Sequence, residues 1–125
     1  MNIKEEFRLA LRELVYPVCV VSTYNDETKE NHAITVSSVT SLSFEPPSIL
    51  VCINKDSSIH SSLKKDSNFN ISFLSSSQTE ISNLCGTDEL SDKRFDNDFW
   101  DFKNNIGFIK NCLLYTSPSP RDSNL

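Results

Sequence analysis

A chain of 125 residues, 38% hydrophobic and 23% charged, is sized for one domain with a single packed core. Its formal charge of -5 argues against a grip on nucleic acid, which needs a basic surface to displace counterions. No apolar run approaches the ~20 residues that span a bilayer, and the charged N-terminus MNIKEEFRLALREL lacks the apolar centre of a secretory signal, so the expected location is the cytoplasm.

In chain order, residues 3 to 14 place Ile3, Phe7, Ala10, Leu11 and Leu14 at helical spacing, with Lys4, Glu5, Arg8, Arg12 and Glu13 on the other face. This predicts an amphipathic helix ended by Pro17. The β-branched run 18 to 23 is a predicted buried strand, the polar stretch 25 to 31 a hairpin loop, and residues 33 to 38 the returning strand. Residues 41 to 44 continue as strand. The double proline after Glu45 cannot donate to a central ladder, so Pro46 and Pro47 mark an edge or a crossing between sheet layers.

Residues 48 to 53 form the most apolar strand, and Ile59 and Leu63 stand four apart on a short helix. Phe69, Ile71 and Phe73 alternate with Asn70 and Ser72, which predicts a half-buried strand. Ser77-Gln78-Thr79-Glu80 has capping-box spacing and opens a helix whose inner face is Ile81, Leu84 and Cys85. Residues 86 to 105 read as a charged loop in which Phe95, Phe99, Trp100 and Phe102 either dock onto a core edge, the commoner case, or contact a ligand or partner, and residues 106 to 114 as one further strand. About six strands with short connections and three short helices predict an α+β, mainly β fold, an antiparallel barrel with helices packed outside.

The cysteines Cys19, Cys52, Cys85 and Cys112 show no CxxC spacing, and His32 and His60 are the only histidines, so no metal site is expected. Cys19 and Cys52 sit in apolar runs and are read as small reduced hydrophobes.

Two stretches point to chemistry. Thr35-Val36-Ser37-Ser38 and Thr40-Ser41-Leu42-Ser43, followed by Pro46-Pro47, place hydroxyls on adjoining strands. Hydroxyls are expensive to bury unless something accepts their hydrogen bonds, and a flat heterocycle rich in acceptors would do so. A strand facing solvent accounts for the same pattern equally well. Asn54-Lys55-Asp56-Ser57-Ser58 lies between a buried strand and a helix start, where free N–H groups and two hydroxyls suit a phosphate. An ordinary N-cap uses the same residues.

Taken in order, the segment HAITVSSVTSLSFEPPSILVCINKDSSIH resembles the flavin-binding core of the flavin-reductase-like family, and the likeness extends from about Phe7 to Cys112. The resemblance implies an FMN-binding antiparallel split barrel that acts as a homodimer, with FAD as a further possible flavin. By that resemblance Thr35, Val36, Ser37 and Ser38 contact the flavin ring and ribityl chain, and Ser41 and Leu42 lie beside the ring. Cys52, Ile53 and Asn54 line the isoalloxazine edge, and Ser57 and Ser58 form the phosphate turn. His60 stands one turn further on, and Lys93-Arg94-Phe95 is similar to a basic-aromatic loop beside the cofactor, although a solvated charge cluster with Phe95 as a core plug fits it too.

The implied activity is that of an NAD(P)H:flavin oxidoreductase supplying reduced flavin to an acceptor such as a monooxygenase. The redox chemistry is the cofactor's, so no catalytic side chain is named. A flavoredoxin-like FMN electron carrier, which the Tyr16-Pro17 pair would suit, is the alternative, and a binding module without turnover is a third. The chain departs from the family in carrying Ala33 where a glycine is usual, and in lacking a late Gly-Asp-His motif. Residues 1 to 112 are therefore expected to be a C-terminally incomplete split-barrel domain. The Pro/Ser-rich residues 113 to 125 are expected to be a disordered, non-native tail that resembles translated sequencing-adapter sequence.

Overall fold

The computed structural model describes residues 2–12, 18–64 and 67–117. Helix α1 (Ile3–Arg12) opens with the Asn2 carboxamide accepting the Glu5 N–H at 2.8 Å, a capping bond that satisfies one of the orphan donors of the first turn. Its apolar residues Ile3 and Phe7 are exposed. The expected helix extends to residue 14, and its last part lies outside the described residues, as do Tyr16 and Pro17.

Strands β1 (Cys19–Asn25), β2 (Glu30–Val36), β5 (Phe69–Phe73) and β8 (Leu113–Ser117) form one antiparallel sheet in the order β2-β1-β5-β8. Two hairpins lie outside this ladder, β3 (Val39–Phe44) with β4 (Pro47–Val51), and β6 (Trp100–Lys103) with β7 (Ile106–Ile109). Helix α2 (Thr79–Gly86) joins β5 to the second hairpin through a 3-10 turn at Asp88–Lys93. No helix among the described residues is long and apolar enough to cross a membrane.

The register of β1 sorts its side chains onto two faces, since directly paired residues share a face. Val20 and Ala33 pack with Ile81, Cys85, Trp100 and Ile109, the cluster beneath α2 and the β6–β7 hairpin. Cys19, Val21 and Val36 pack with Ile59 and Ile71, and the β3–β4 hairpin adds Val39, Ile49 and Val51 to this second cluster. The central sheet is thus covered on both sides.

That double coverage corrects one expectation. Asn70 and Ser72, read as the wet face of a half-buried strand, are 2% and 0% exposed. β7 lies across them and meets part of their hydrogen-bonding need, while the buried Asn70 side-chain oxygen has no partner among the described residues. The Asn70 amide donates to the Gly107 carbonyl at 3.2 Å, and the Ser72 hydroxyl accepts the Ile109 N–H at 3.1 Å. The Ser22 hydroxyl also donates to the Gly107 carbonyl.

Other boundaries shift for local reasons. The double proline marks an edge, as one of its two readings had it, and not a crossing between layers: Glu45 and Pro46 form the turn of the two-stranded β3–β4 hairpin, and Pro47 pairs with Phe44. The capping pair is Ser75 and Gln78, with the Ser75 N–H donating to the Gln78 side chain at 2.8 Å, two residues before the predicted box. The β6–β7 hairpin takes its second arm from the start of the strand expected at 106–114, and only β6 and the turn were hidden in the stretch read as loop. Its two-residue turn, Asn104 and Asn105, has φ of 53° and 71°, the left-handed pair that matches strand twist and that asparagine adopts more readily than most residues. The expected tail begins too early as structure, since residues 113–117 pair along β5 as β8; residues 118–125 lie outside the described residues.

Gly107 faces Phe102 across this hairpin, and a Cβ there would stand 2.8 Å from Trp100 Cε3. The indole cannot retreat easily, because it is 5% exposed and its Nε1–H donates to the Arg94 carbonyl. Gly107→Ala is expected to lower stability by about 1–3 kcal/mol, the usual cost of overpacking, read as a fall in the urea midpoint without a change in slope.

Candidate functional site

The segment after β2 and the end of β4 are held side by side by the β3–β4 ladder, which ends with Val39 paired to Val51. After Val36, whose side chain is buried in the second cluster, Ser37 and Ser38 turn exposed between β2 and β3. The Cys52 N–H, one residue past β4, donates to the Ser38 carbonyl at 3.2 Å. Ile53 then packs into the cluster that holds Val36 and Ile59. Apolar anchors at positions 36, 53 and 59 therefore gather three loop segments, and leave Ser37, Ser38, Cys52, Asn54, Ser58 and His60 exposed around them.

Asn54 organises the next turn. Its side-chain oxygen accepts the Asp56 N–H at 2.9 Å, and its carbonyl accepts both the Ser57 N–H at 3.1 Å and the Ser57 hydroxyl at 2.7 Å. This is an Asx turn, a side chain imitating a backbone bend. The His60 N–H donates to the Ser57 carbonyl at 3.2 Å and leads into a 3-10 turn at His60–Ser62, shorter than the expected helix. The two serines so divide: Ser57 is engaged in the turn, and Ser58 presents an exposed hydroxyl with no hydrogen bond among the described residues. Asn25 braces the turn from the tip of β1, its amide donating to the Ser62 hydroxyl at 3.0 Å. The Asn25 side-chain oxygen accepts the Glu27 and Thr28 N–H groups of its own hairpin loop.

Other predicted residues stand elsewhere. Thr35 points to the opposite face of the sheet, where its hydroxyl donates to the Ser82 carbonyl of α2 at 2.8 Å. Ser41 pairs with Ile49 in the β3–β4 hairpin, and Leu42 is the exposed residue at its bulge. Lys93 is exposed at the end of the 3-10 turn that follows α2. Phe95 is a core plug, half-buried with its ring centroid 4.5 Å from that of Trp100. Arg94 is buried, and its guanidinium donates to three main-chain carbonyls: Ala33 at 3.0 Å, Leu84 at 3.1 Å and Thr87 at 3.1 Å. The basic-aromatic triplet thus lies on the α2 side of the sheet, and its arginine is occupied by backbone.

Sequence reasoning missed Asn25, for which an Asn before a polar loop was the available signal. Trp100, expected to dock onto a core edge, does so in the first cluster. Two open concavities of about 350 and 430 Å³ flank the start of α2, lined by Ser75 and Gln78, and neither includes a predicted site residue. No metal-ligating cluster occurs among the described residues.

The thiols separate sharply. Burial pushes the Cys85 thiol up to about 11, opposed in part by the Arg94 charge, and pushes Cys19 to about 11, reinforced by Cys112. Cys52, expected to be a buried hydrophobe, is exposed, because β4 ends at Val51 before reaching it. In native protein at neutral pH, iodoacetamide is expected to label Cys52 first and to spare Cys19 and Cys85 until denaturant is added; peptide mass mapping checks the order.

A mainly β α+β chain with short flanking helices, whose polar loops converge beside the end of β4, defines a class that comparison makes specific. The profile described as "Flavin reductase like domain" matches residues 11–117. The chain belongs to this flavin-reductase-like family. It is 30% identical over 104 residues to the reductase component of the FADH(2)-dependent resorcinol hydroxylase of Rhizobium sp. (strain MTP-10005), covering 83% of this chain and 58% of that protein. It is 30% identical over 112 residues to the FMN reductase (NADH) RutF of Pantoea ananatis (strain LMG 20103), covering 89% and 58%. Among solved structures, BorF, the flavin reductase component of a bacterial two-component tryptophan halogenase, superposes with a TM-score of 0.76 at 26% identity, over 90% of this chain and 72% of that one. The split-barrel fold expected from the sequence is the fold of these flavin reductases. The chain spans 58% of the length of the two curated relatives.

Proposed function

We propose that this chain is the flavin-binding domain of an NAD(P)H:flavin oxidoreductase that supplies reduced flavin to an acceptor such as a monooxygenase. The observation that carries the reading is the Ser38–Cys52 junction, which gathers the family-matched loop residues into one polar rim above an apolar anchor. Exposed hydroxyls at Ser37, Ser38 and Ser58 and the imidazole of His60 offer donors, and Ile53 offers an apolar edge. This donor set suits a ligand with a flat polar ring and an anionic tail.

In this reading Ser37, Ser38, Cys52, Ile53 and Asn54 hold the ring and ribityl portion, with Ser41 and Leu42 flanking it. Ser58 takes the phosphate from a turn shaped by Ser57, and His60 stands beside it. Thr35, Val36, Arg94 and Phe95 support the rim from within the fold, and Lys93 lies exposed near them. The chemistry supplied by a bound flavin is hydride acceptance from a reduced nicotinamide, followed by onward delivery of electrons. The chain's own residues bind and orient, and no catalytic side chain is proposed.

The relatives support FMN with NADH, while the resorcinol hydroxylase component supports a flavin handed on as FADH(2) to an oxygenase. The proposed assembly is a homodimer, in keeping with the exposed apolar residues Leu42, Phe44 and Leu50 on the β3–β4 hairpin. The proposed location is the cytoplasm, where four free thiols stay reduced.

Purified chain mixed with NADH or NADPH and free FMN is expected to oxidise the nicotinamide steadily, followed by its absorbance. A yellow protein inert to both nicotinamides would instead identify an electron carrier, and a colourless one without FMN affinity would sink the flavin assignment.

The serines give a finer test. Ser58→Ala is expected to weaken FMN binding about tenfold, roughly 1.4 kcal/mol, without loss of stability. Ser57→Ala should lower the unfolding midpoint, because it removes a bond internal to the turn. Equal, unchanged affinity in both variants would reduce the pair to a helix cap.

A further inference from the structure

We propose that Arg94 is a positioning residue for the flavin segment: its guanidinium pins β2 to the end of α2, and so fixes the strand that presents Ser37 and Ser38. The proposal rests on the flavin reading of that segment.

The guanidinium side chain is buried, the residue being 7% exposed, yet among the described residues it forms no ion pair with a carboxylate. A buried cation without compensation is costly. Its compensation here is oxygen dipoles. Nη1 donates to the Ala33 carbonyl of β2, Nε to the Leu84 carbonyl in the last turn of α2, and Nη2 to the Thr87 carbonyl just beyond it. The carbonyls of a helix's last turn lack intrahelical partners and carry the negative end of its dipole, so a cation is best placed there. The rigid fork of arginine reaches strand and helix end at once, which a single ammonium does less well.

β2 needs such a tether because, among the described residues, it is an edge strand paired within the sheet to β1 alone. Two residues past Ala33, the Thr35 hydroxyl binds the Ser82 carbonyl of the same helix. Gly86 lies against Thr35, where an added Cβ would meet the Thr35 Cβ at 3.6 Å. Strand and helix are thus fastened at two strand positions, Ala33 and Thr35, directly before the chain turns out as Ser37 and Ser38. Arg94 is itself held, since its carbonyl accepts the Trp100 indole N–H and the Asn97 amide. An arginine fastened at both ends, beside but not within the rim, positions it.

The test compares full-length wild type, Arg94→Lys and Arg94→Met by FMN affinity, by the KM for FMN against kcat, and by amide hydrogen exchange over residues 33–38. In the folded variants the loss should fall on KM for FMN, about threefold for Arg94→Lys and tenfold or more for Arg94→Met, and exchange over 33–38 should quicken. If Arg94→Met fails to fold, Arg94→Lys and Thr35→Val, which cuts the neighbouring tether, carry the same comparison. A lowered unfolding midpoint with unchanged FMN affinity and unchanged exchange at 33–38 makes Arg94 a structural residue only and overturns the proposal. A wild type that binds no FMN overturns the flavin reading itself, whereas a wild type that binds FMN as its Arg94→Lys variant does overturns only the role given to Arg94.

Discussion

Burial of β1 on both faces is the constraint on which the rest of the chain depends. Cys19, Val20, Val21, Ser22 and Thr23 are all 2% exposed or less, so both faces of the central sheet must be covered by elements outside it. Helix α2 and the β6–β7 hairpin cover one side, and the β3–β4 hairpin with the Ile59 turn covers the other. The polar members of the ladder follow from the same demand. Ser22, Asn70 and Ser72 meet the backbone of β7, and the Thr23 hydroxyl donates to the Asn68 carbonyl. A hairpin held by such buried bonds can dock in only one register, because any slip would orphan several polar groups together.

The cover on the second side is also what builds the rim. Val36, Ile53 and Ile59 are core residues first, and the loops they anchor come together as a consequence. The site therefore has no separate scaffold. Rim residues alternate with core residues along the chain, and the strength of the rim is the strength of the packing behind it.

Much of this was legible in the residues. The β-branched run at 18–23, the alternation at 69–73 and the helix carrying Ile81 and Cys85 all stand near their expected positions. The family likeness of residues 32 to 60 correctly indicated a flavin reductase fold. What escaped was governed by contacts distant in sequence. Periodicity cannot tell that Asn70 and Ser72 are buried, because their partners on β7 lie 37 residues away. The β6–β7 hairpin lacks the glycine turn that would have marked it, using Asn104 and Asn105 instead. Alternating hydroxyls at 35, 37 and 38 looked alike in sequence, yet Thr35 is engaged by α2 while Ser37 and Ser38 are exposed. Which hydroxyl is available to a ligand depends on tertiary structure, and the sequence pattern held no sign of it.

Asn25 binds two loops with one carboxamide. Its oxygen shapes the β1–β2 loop and its nitrogen holds Ser62, close in sequence to Ser58 and His60. Hairpin loops ordinarily tolerate changes of length and composition, because nothing but solvent records the difference. Here an insertion at the tip would rotate Asn25 and be transmitted to the far turn. The outermost loop of the sheet is thereby drawn into the inheritance of the site, and the freedom to drift that its exposure would normally grant is withdrawn.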